Sequence, residues 1–423
     1  MLMSRCSCLI LATALLVSFG SPGNAENWPG WRGLRGDGTS LESNVPIEWD
    51  GESGKNIRWK AAIPGAGYSS PVIHGDRVFL TSCDESEQTR LLHSVDRQSG
   101  EVLWTREVLE SPLEGVHKLN GRASGTPATD GELVFVTFFR TDATSGERGE
   151  PGEMLVGAFD YEGNQQWLVT VGAFSSIHGY CTSPVLYRDL VLVNGDHDGE
   201  SYLAALNKKS GELVWKTARV HQTRSYVTPL LREVQGQMQA VMAGSKCVAG
   251  FDPMTGKRLW WVEGPTEQFV ASMVHDSSNF YLTAGFPTYH VMAIRHGGEQ
   301  DVTDSHVSWH VNDAKSYVPS PVLANALLFV ADDRGIAHCF DPADGEHLWR
   351  ERLGPHFSAS LITAKGLVYF TADDGATTIM RAAREPIVLR VNELGERVYA
   401  SPAISQGELF LRGTDHLFCI SDK

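Results

Sequence analysis

The stretch Asp252-Pro253-Met254-Thr255-Gly256-Lys257-Arg258-Leu259-Trp260 decides the fold. An Asp or Asn side chain closes a tight turn, Gly takes the positive φ that the turn needs, and Trp lands on the strand that follows. The same spacing recurs at Asp96/Gly100/Trp104, Asn207/Gly211/Trp215 and Asp341/Gly345/Trp349. Asp160/Gly163/Trp167 is one residue shorter before the glycine. Apolar runs flank these turns, as in Ser201-Tyr202-Leu203-Ala204-Ala205-Leu206, so each segment reads as a β-hairpin. The Trp offers a large area for docking on a neighbouring unit.

A second marker precedes each unit: Ser70-Pro71, Thr126-Pro127, Ser183-Pro184, Thr228-Pro229, Ser320-Pro321 and Ser401-Pro402. Ser272-Met273 and Ser360-Leu361 hold the same place without the proline. Positions 71 to 402 span 331 residues over seven intervals, about 47 per unit, the period of a four-stranded propeller blade. The expectation is an all-β, eight-bladed β-propeller of four-stranded antiparallel blades.

The eighth unit lacks an outer strand, because the chain ends just after Leu417-Phe418-Cys419-Ile420. A matching orphan, Asn56-Ile57-Arg58-Trp59-Lys60, lies near the other end. The N-terminal strand is therefore expected to complete the last blade, with Trp59 as its docking residue. Closure of this kind removes the exposed edges that invite aggregation. The expected divisions are 1–25 as a signal peptide, 26–56 as an N-terminal extension and 57–423 as the propeller. Trp28 and Trp31 fall outside the repeat and are expected to matter less than Trp59.

Arg5 is the only charged residue before Glu26, and Leu9 to Phe19 is an apolar stretch ending in small residues up to Ala25. This pattern reads as a secretory signal cut near Ala25, with export to the periplasm or the outside. No later segment is long and apolar enough for a transmembrane helix. Lys plus Arg total 36 against 51 for Asp plus Glu, a formal charge of −15, which disfavours nucleic acid and anionic lipid as partners. Five cysteines follow residue 25, at 83, 181, 247, 339 and 419, far apart and without a CxxC, so they read as buried apolar side chains.

The repeat resembles the tryptophan-docking motif of the PQQ-repeat propellers, which include quinoprotein alcohol dehydrogenases and the outer-membrane assembly lipoprotein BamB. The resemblance covers about 57–421, and Trp28-Pro29-Gly30-Trp31-Arg32-Gly33 is similar to the start of secreted PQQ-binding-like propellers. It implies a fold, and it leaves enzyme and non-enzyme open.

Strand parity puts the connections from strand 2 to 3, and from each blade to the next, on one face. The long loops 106–125 and 139–153 lie there, so ligand contacts are expected there, around the axial funnel. The candidates are His117, Asn120, Arg122, His178, Asp196, Asp198, Arg224, Lys246, Glu267 and Tyr317. Tyr180 and Tyr226 stand in the same loops. The alternative role for such groups is to satisfy blade-edge backbone and channel water. The insertion His296 to His306 is expected on the opposite face. Asn194, Asp196, Asp198 and Gly199 match half of a calcium loop, but Ala205 stands where a bidentate Glu is required, and a polar turn fits them as well.

Two functions follow. The first is an exported, non-catalytic propeller, monomeric, that binds an envelope protein, a peptide or a small ligand, with no cofactor and no metal. The second is a small PQQ-dependent oxidoreductase acting on an alcohol or sugar. In that case Arg122, Arg224 and Lys246 would meet the cofactor carboxylates, calcium would sit at the quinone, and Asp196 or Glu267 would be the base. The chain has neither the adjacent cysteines found beside the cofactor in many such enzymes nor a CxxCH haem site.

Overall fold

The computed structural model describes residues 25–422. Residues 1–24, almost all of the expected signal segment, lie outside that range. The described residues form eight antiparallel sheets of four core strands each, arranged as blades in chain order. Blade 1 is Val72–His74, Arg77–Asp84, Thr89–Asp96 and Val102–Glu110. Blades 2 to 7 begin at Ala128, Val185, Leu230, Val274, Val322 and Ile362. In blade 8 the strand Ile57–Ala62 pairs antiparallel with His416–Ile420, Trp59 opposite Cys419, as expected from the two orphan ends.

The turn chemistry is the one read from the repeat. Asp252 Oδ1 accepts the amides of Met254 at 2.8 Å and Thr255 at 3.3 Å, and Asp96 does the same for Gln98 and Ser99. The glycine is needed for two reasons. Gly100 has φ of 77°, and a Cβ there would lie 2.7 Å from the Trp59 ring, which belongs to the preceding blade. Trp59 Nε1 also donates to the Arg97 carbonyl of that turn at 2.8 Å. Trp104, Trp167 and Trp215 repeat this cross-blade contact on the turns carrying Gly163, Gly211 and Gly256.

Trp260 departs from the expected docking. Its ring position in the blade is the same, opposite Gly250. Yet Nε1 donates to Gln239 Oε1 of its own blade at 2.8 Å, and the ring stacks over Phe280 of blade 5. The cause is the insertion after His296. Gln300–Asp301 pairs parallel with the outer strand of blade 4, at Trp260 and Trp261, where the next blade's turn would otherwise sit. Beyond the insertion, Trp309 resumes the series on Gly345 and donates to Pro342 O at 2.8 Å. The insertion also carries the helix Thr303–His306.

The Ser and Thr of the second marker join neighbouring blades around the axis. The amide of Ser70 donates to Thr126 Oγ1, and that of Thr126 to Ser183 Oγ. The series resumes at Ser272 and runs through Ser320 and Ser360 to Ser401, whose amide returns to Ser70 Oγ at 3.0 Å. The Pro that usually follows has no N–H and so needs no acceptor, which suits a chain entering its inner strand.

The N-terminal extension is not an appendage. Trp28, 2 % exposed, bridges to Ile73 of blade 1. Pro29 O accepts the Thr129 amide of blade 2, Trp31 Nε1 donates to Ser272 Oγ of blade 5, and Thr39–Ser40 pairs parallel with the inner strand of blade 7. The segment thus crosses the axis beneath the ring. Trp49, also buried, then packs into the apolar cluster shared by blades 7, 8 and 1. The five described cysteines are free thiols, and four of them are buried.

Candidate functional site

Because strands alternate in direction, the connections between blades all emerge at one end, and there they surround a cavity of about 260 Å3. Its lining comes from these connections, with two additions: Asp333, from a strand 2–3 turn, and Trp31, which rises from below as a floor. Trp31 and Thr228 also border a second cavity on the underside, so the Trp31 ring separates two spaces along the axis.

One wall is built from His117, His178 and Tyr226. The His117 and His178 rings meet edge to face with centroids 5.6 Å apart. His178 Nδ1 lies 2.8 Å from Tyr226 Oη, which in turn lies 2.8 Å from Ser176 Oγ. Burial pushes the His178 pKa down to about 4, with Arg224 and Arg148 adding to the effect. Burial also lowers that of His117. Both are neutral imidazoles at pH 7. Cys181, in the same lining, is a thiol that burial pushes up to about 12, so it is no nucleophile.

The opposite wall is acidic. Asp333 Oδ1 accepts the amides of Tyr317 at 3.1 Å and Val318 at 3.3 Å. Burial raises its pKa, and the amides oppose that rise. His356 Nδ1 lies 2.8 Å from Asp373 Oδ2, a contact that raises the histidine pKa. Tyr317 Oη donates to Gln268 Oε1, and the Tyr68 and Tyr399 rings meet at a tilt of 43° with centroids 4.6 Å apart.

Of the residues expected at this end, His117, Asn120, His178 and Tyr317 line the cavity. Asn120 Nδ2 donates to His178 O at 2.8 Å, so its amide ties two loops together. The others lie elsewhere. Arg122 is ion-paired with Glu85, and Arg224 with Asp198. Lys246 and Glu267 stand 3.9 Å apart, both well exposed. Asp196 is fully buried. Its Oδ1 accepts from Arg219 Nε at 2.9 Å and its Oδ2 from Ser225 Oγ at 2.7 Å, which makes it an internal tie of blade 3 with no access to the cavity. Asn194 is likewise buried and donates to Val227 O. Among the described residues no three His, Cys, Asp or Glu side chains converge to hold a metal.

Trp31, Asp333, His356, Tyr68 and Tyr399 line the cavity and were not expected there. In sequence, Asp332-Asp333-Arg334-Gly335 and Asp373-Asp374-Gly375 look like plain hairpin turns, and the paired aspartates at equivalent positions are the available signal.

Residues 41–150, 152–302, 298–385 and 336–422 match the sequence model of the family described as outer membrane protein assembly factor BamB. A polyvinylalcohol dehydrogenase from a Pseudomonas species is 22 % identical over 358 residues, 78 % of this chain. The match is 52 % of that protein, so the chain spans about half the length of this curated relative. Among solved structures, BamB from Moraxella catarrhalis superimposes with a TM-score of 0.60 at 13 % identity, covering 87 % of this chain and 97 % of that one. A europium-containing methanol dehydrogenase gives 0.55 at 12 %, covering 92 % and 89 %. At such identities the structures show a common fold. Eight blades, the docking tryptophans and a family match along nearly the whole described chain together mean that the protein belongs to the PQQ-repeat β-propeller family whose model bears the BamB description.

Proposed function

We propose that this protein is an exported, non-catalytic propeller of the cell envelope whose inter-blade loops and axial cavity form a binding surface. The signal-like residues 1–25 support export. Among the described residues no helix is long and apolar enough to cross a membrane.

One observation carries the non-catalytic reading: the cavity does not have the donor set that PQQ needs. PQQ requires basic partners for its carboxylates and oxygen ligands for a divalent cation. No Lys or Arg lines the cavity. Arg122 and Arg224 are already neutralised by Glu85 and Asp198, and Lys246 is an exposed side chain beside Glu267. The expected base Asp196 is sealed in an ion pair. These residues do not fit the cofactor.

The polyvinylalcohol dehydrogenase relative favours the second reading, a quinoprotein oxidoreductase. A dye-linked assay of the full mature chain with PQQ, calcium and a panel of alcohols and sugars separates the two. The binding-scaffold reading expects no turnover above a protein-free control. Turnover that depends on both PQQ and the chain overturns it.

A further inference from the structure

The repeat supplies an internal comparison for Asp333. Its counterpart in the next blade is Asp373, since the amide of each bonds back to the loop before the inner strand, Asp333 N to Lys315 O and Asp373 N to His356 O. Asp373 is fully engaged: Oδ1 accepts the Ser358 amide, and Oδ2 meets Ser358 Oγ at 3.0 Å and His356 Nδ1 at 2.8 Å. Asp333 uses Oδ1 alone, for the Tyr317 and Val318 amides. No described residue donates to its Oδ2, and no described Lys or Arg forms an ion pair with it. A half-engaged carboxylate is thus set into a half-open cavity lined in part by aromatic rings.

The surroundings offset its charge only in part, through His356. Asp332 turns away to His338 and to the Arg334 and Ile336 amides. Tyr289, Tyr317 and His356 are its other titratable neighbours. His356 shares its proton with Asp373, and the histidines across the cavity are neutral at pH 7. Asp333 and Asp373 are thus two carboxylates against the single histidine His356, at a cavity whose lining holds aromatic rings and no Lys or Arg, an environment that suits an organic cation.

We propose that the cavity binds an organic ammonium group, with Asp333 Oδ2 as its counter-ion and the aromatic lining that includes Tyr317, Tyr68, Tyr399 and Trp31 holding its apolar body. The proposal rests on the binding-scaffold reading and names its ligand class. The ammonium can belong to a small amine or to the amino end of a peptide.

The test is calorimetric titration of the mature chain with phenethylamine, Phe-Gly-amide and the neutral isostere 2-phenylethanol. Both amines should bind saturably at one site, and the alcohol roughly 10-fold or more weakly, because a charge-assisted hydrogen bond is lost. Tighter binding of Phe-Gly-amide identifies a peptide end, and tighter binding of phenethylamine a small amine. Asp333→Asn keeps an oxygen for the Tyr317 and Val318 amides, and should lose roughly the same factor for the amines alone. Equal binding of amine and alcohol, no amine binding by the folded chain, or an unaffected and folded Asp333→Asn overturns the proposal. If that variant does not fold, the amine-to-alcohol comparison on the native chain decides. Failure here without PQQ turnover removes only the ammonium assignment, whereas PQQ turnover removes the reading beneath it.

Discussion

The backbone amide of Ser401 donates to Ser70 Oγ at 3.0 Å, although the two residues lie 331 apart in the chain. This bond joins the last blade to the first at the axis, as Trp59 joins them at the rim. Marker serines that look in sequence like strand punctuation are thus rivets between blades. Their acceptors are buried, so removing one leaves an amide without a partner. We expect Ser70→Ala and Ser320→Ala each to cost about 1–3 kcal/mol in urea unfolding. Wild-type midpoints for both would show that the ring contributes nothing.

Trp59→Ala should behave like Trp167→Ala, since each indole lies on a turn glycine of the next blade and donates to a turn carbonyl. Loss of a buried Trp costs about 3–5 kcal/mol. Thermal melting of the two variants makes the comparison. If Trp167→Ala is destabilised and Trp59→Ala melts like wild type, the shared eighth blade does not hold the ring closed.

The N-terminal segment gives a contrast within one stretch of chain. Trp28 is sealed against blade 1, while Trp31 lies between two cavities. Trp28→Ala should therefore lower the melting temperature substantially, and Trp31→Ala much less. Trp31→Ala should instead join the two spaces, seen as one continuous axial cavity in a crystal structure of the variant. Equal destabilisation by both variants would contradict this division.

Asp196→Ala removes one partner of a buried pair and leaves the Arg219 guanidinium uncompensated, a loss of about 3–5 kcal/mol. Chemical denaturation measures it. A variant of native stability would mean that Asp196 is not the structural tie described above.

Acid sensitivity should have an identifiable source in His93. The ring is fully buried between Ser82 Oγ at 2.7 Å and Thr105 Oγ1 at 2.9 Å. Burial pushes its pKa down to about 3, helped by the charge of Arg412. An unfolded histidine titrates near 6.5, so between about 3 and 6.5 the unfolded chain binds the extra proton. Stability then falls as pH drops through that window, by up to about 1.4 kcal/mol per pH unit for this group. His93→Gln should flatten the dependence of unfolding free energy on pH between 4 and 7 by that amount. An unchanged slope would place the acid sensitivity elsewhere.

The blade count, the closure by Trp59 and the face on which loops gather were legible because they follow from periodicity and strand direction. Trp309 was not, since the insertion after His296 broke the spacing that marks its relatives. For the same reason Trp260 carried the motif without its usual partner. Asp196 looked like an exposed turn residue, because a hairpin pattern does not reveal that Arg219 and Ser225 fold over it. Asp333 and Asp373 are indistinguishable as turn residues, and only His356 and Ser358, brought in by a different loop, separate a satisfied carboxylate from an open one. Trp31 lies outside any repeat, so nothing periodic places it on the axis.

The most direct measurement of the central claim, a binding cavity without quinone chemistry, is an equilibrium titration of the mature chain with PQQ in excess calcium, followed by cofactor absorbance and by calorimetry. The account predicts no saturable binding and no spectral change, because no cation lines the cavity to meet the cofactor carboxylates. Saturable one-to-one binding, with a shifted PQQ spectrum that is lost in Asp333→Asn or Trp31→Ala, would contradict it.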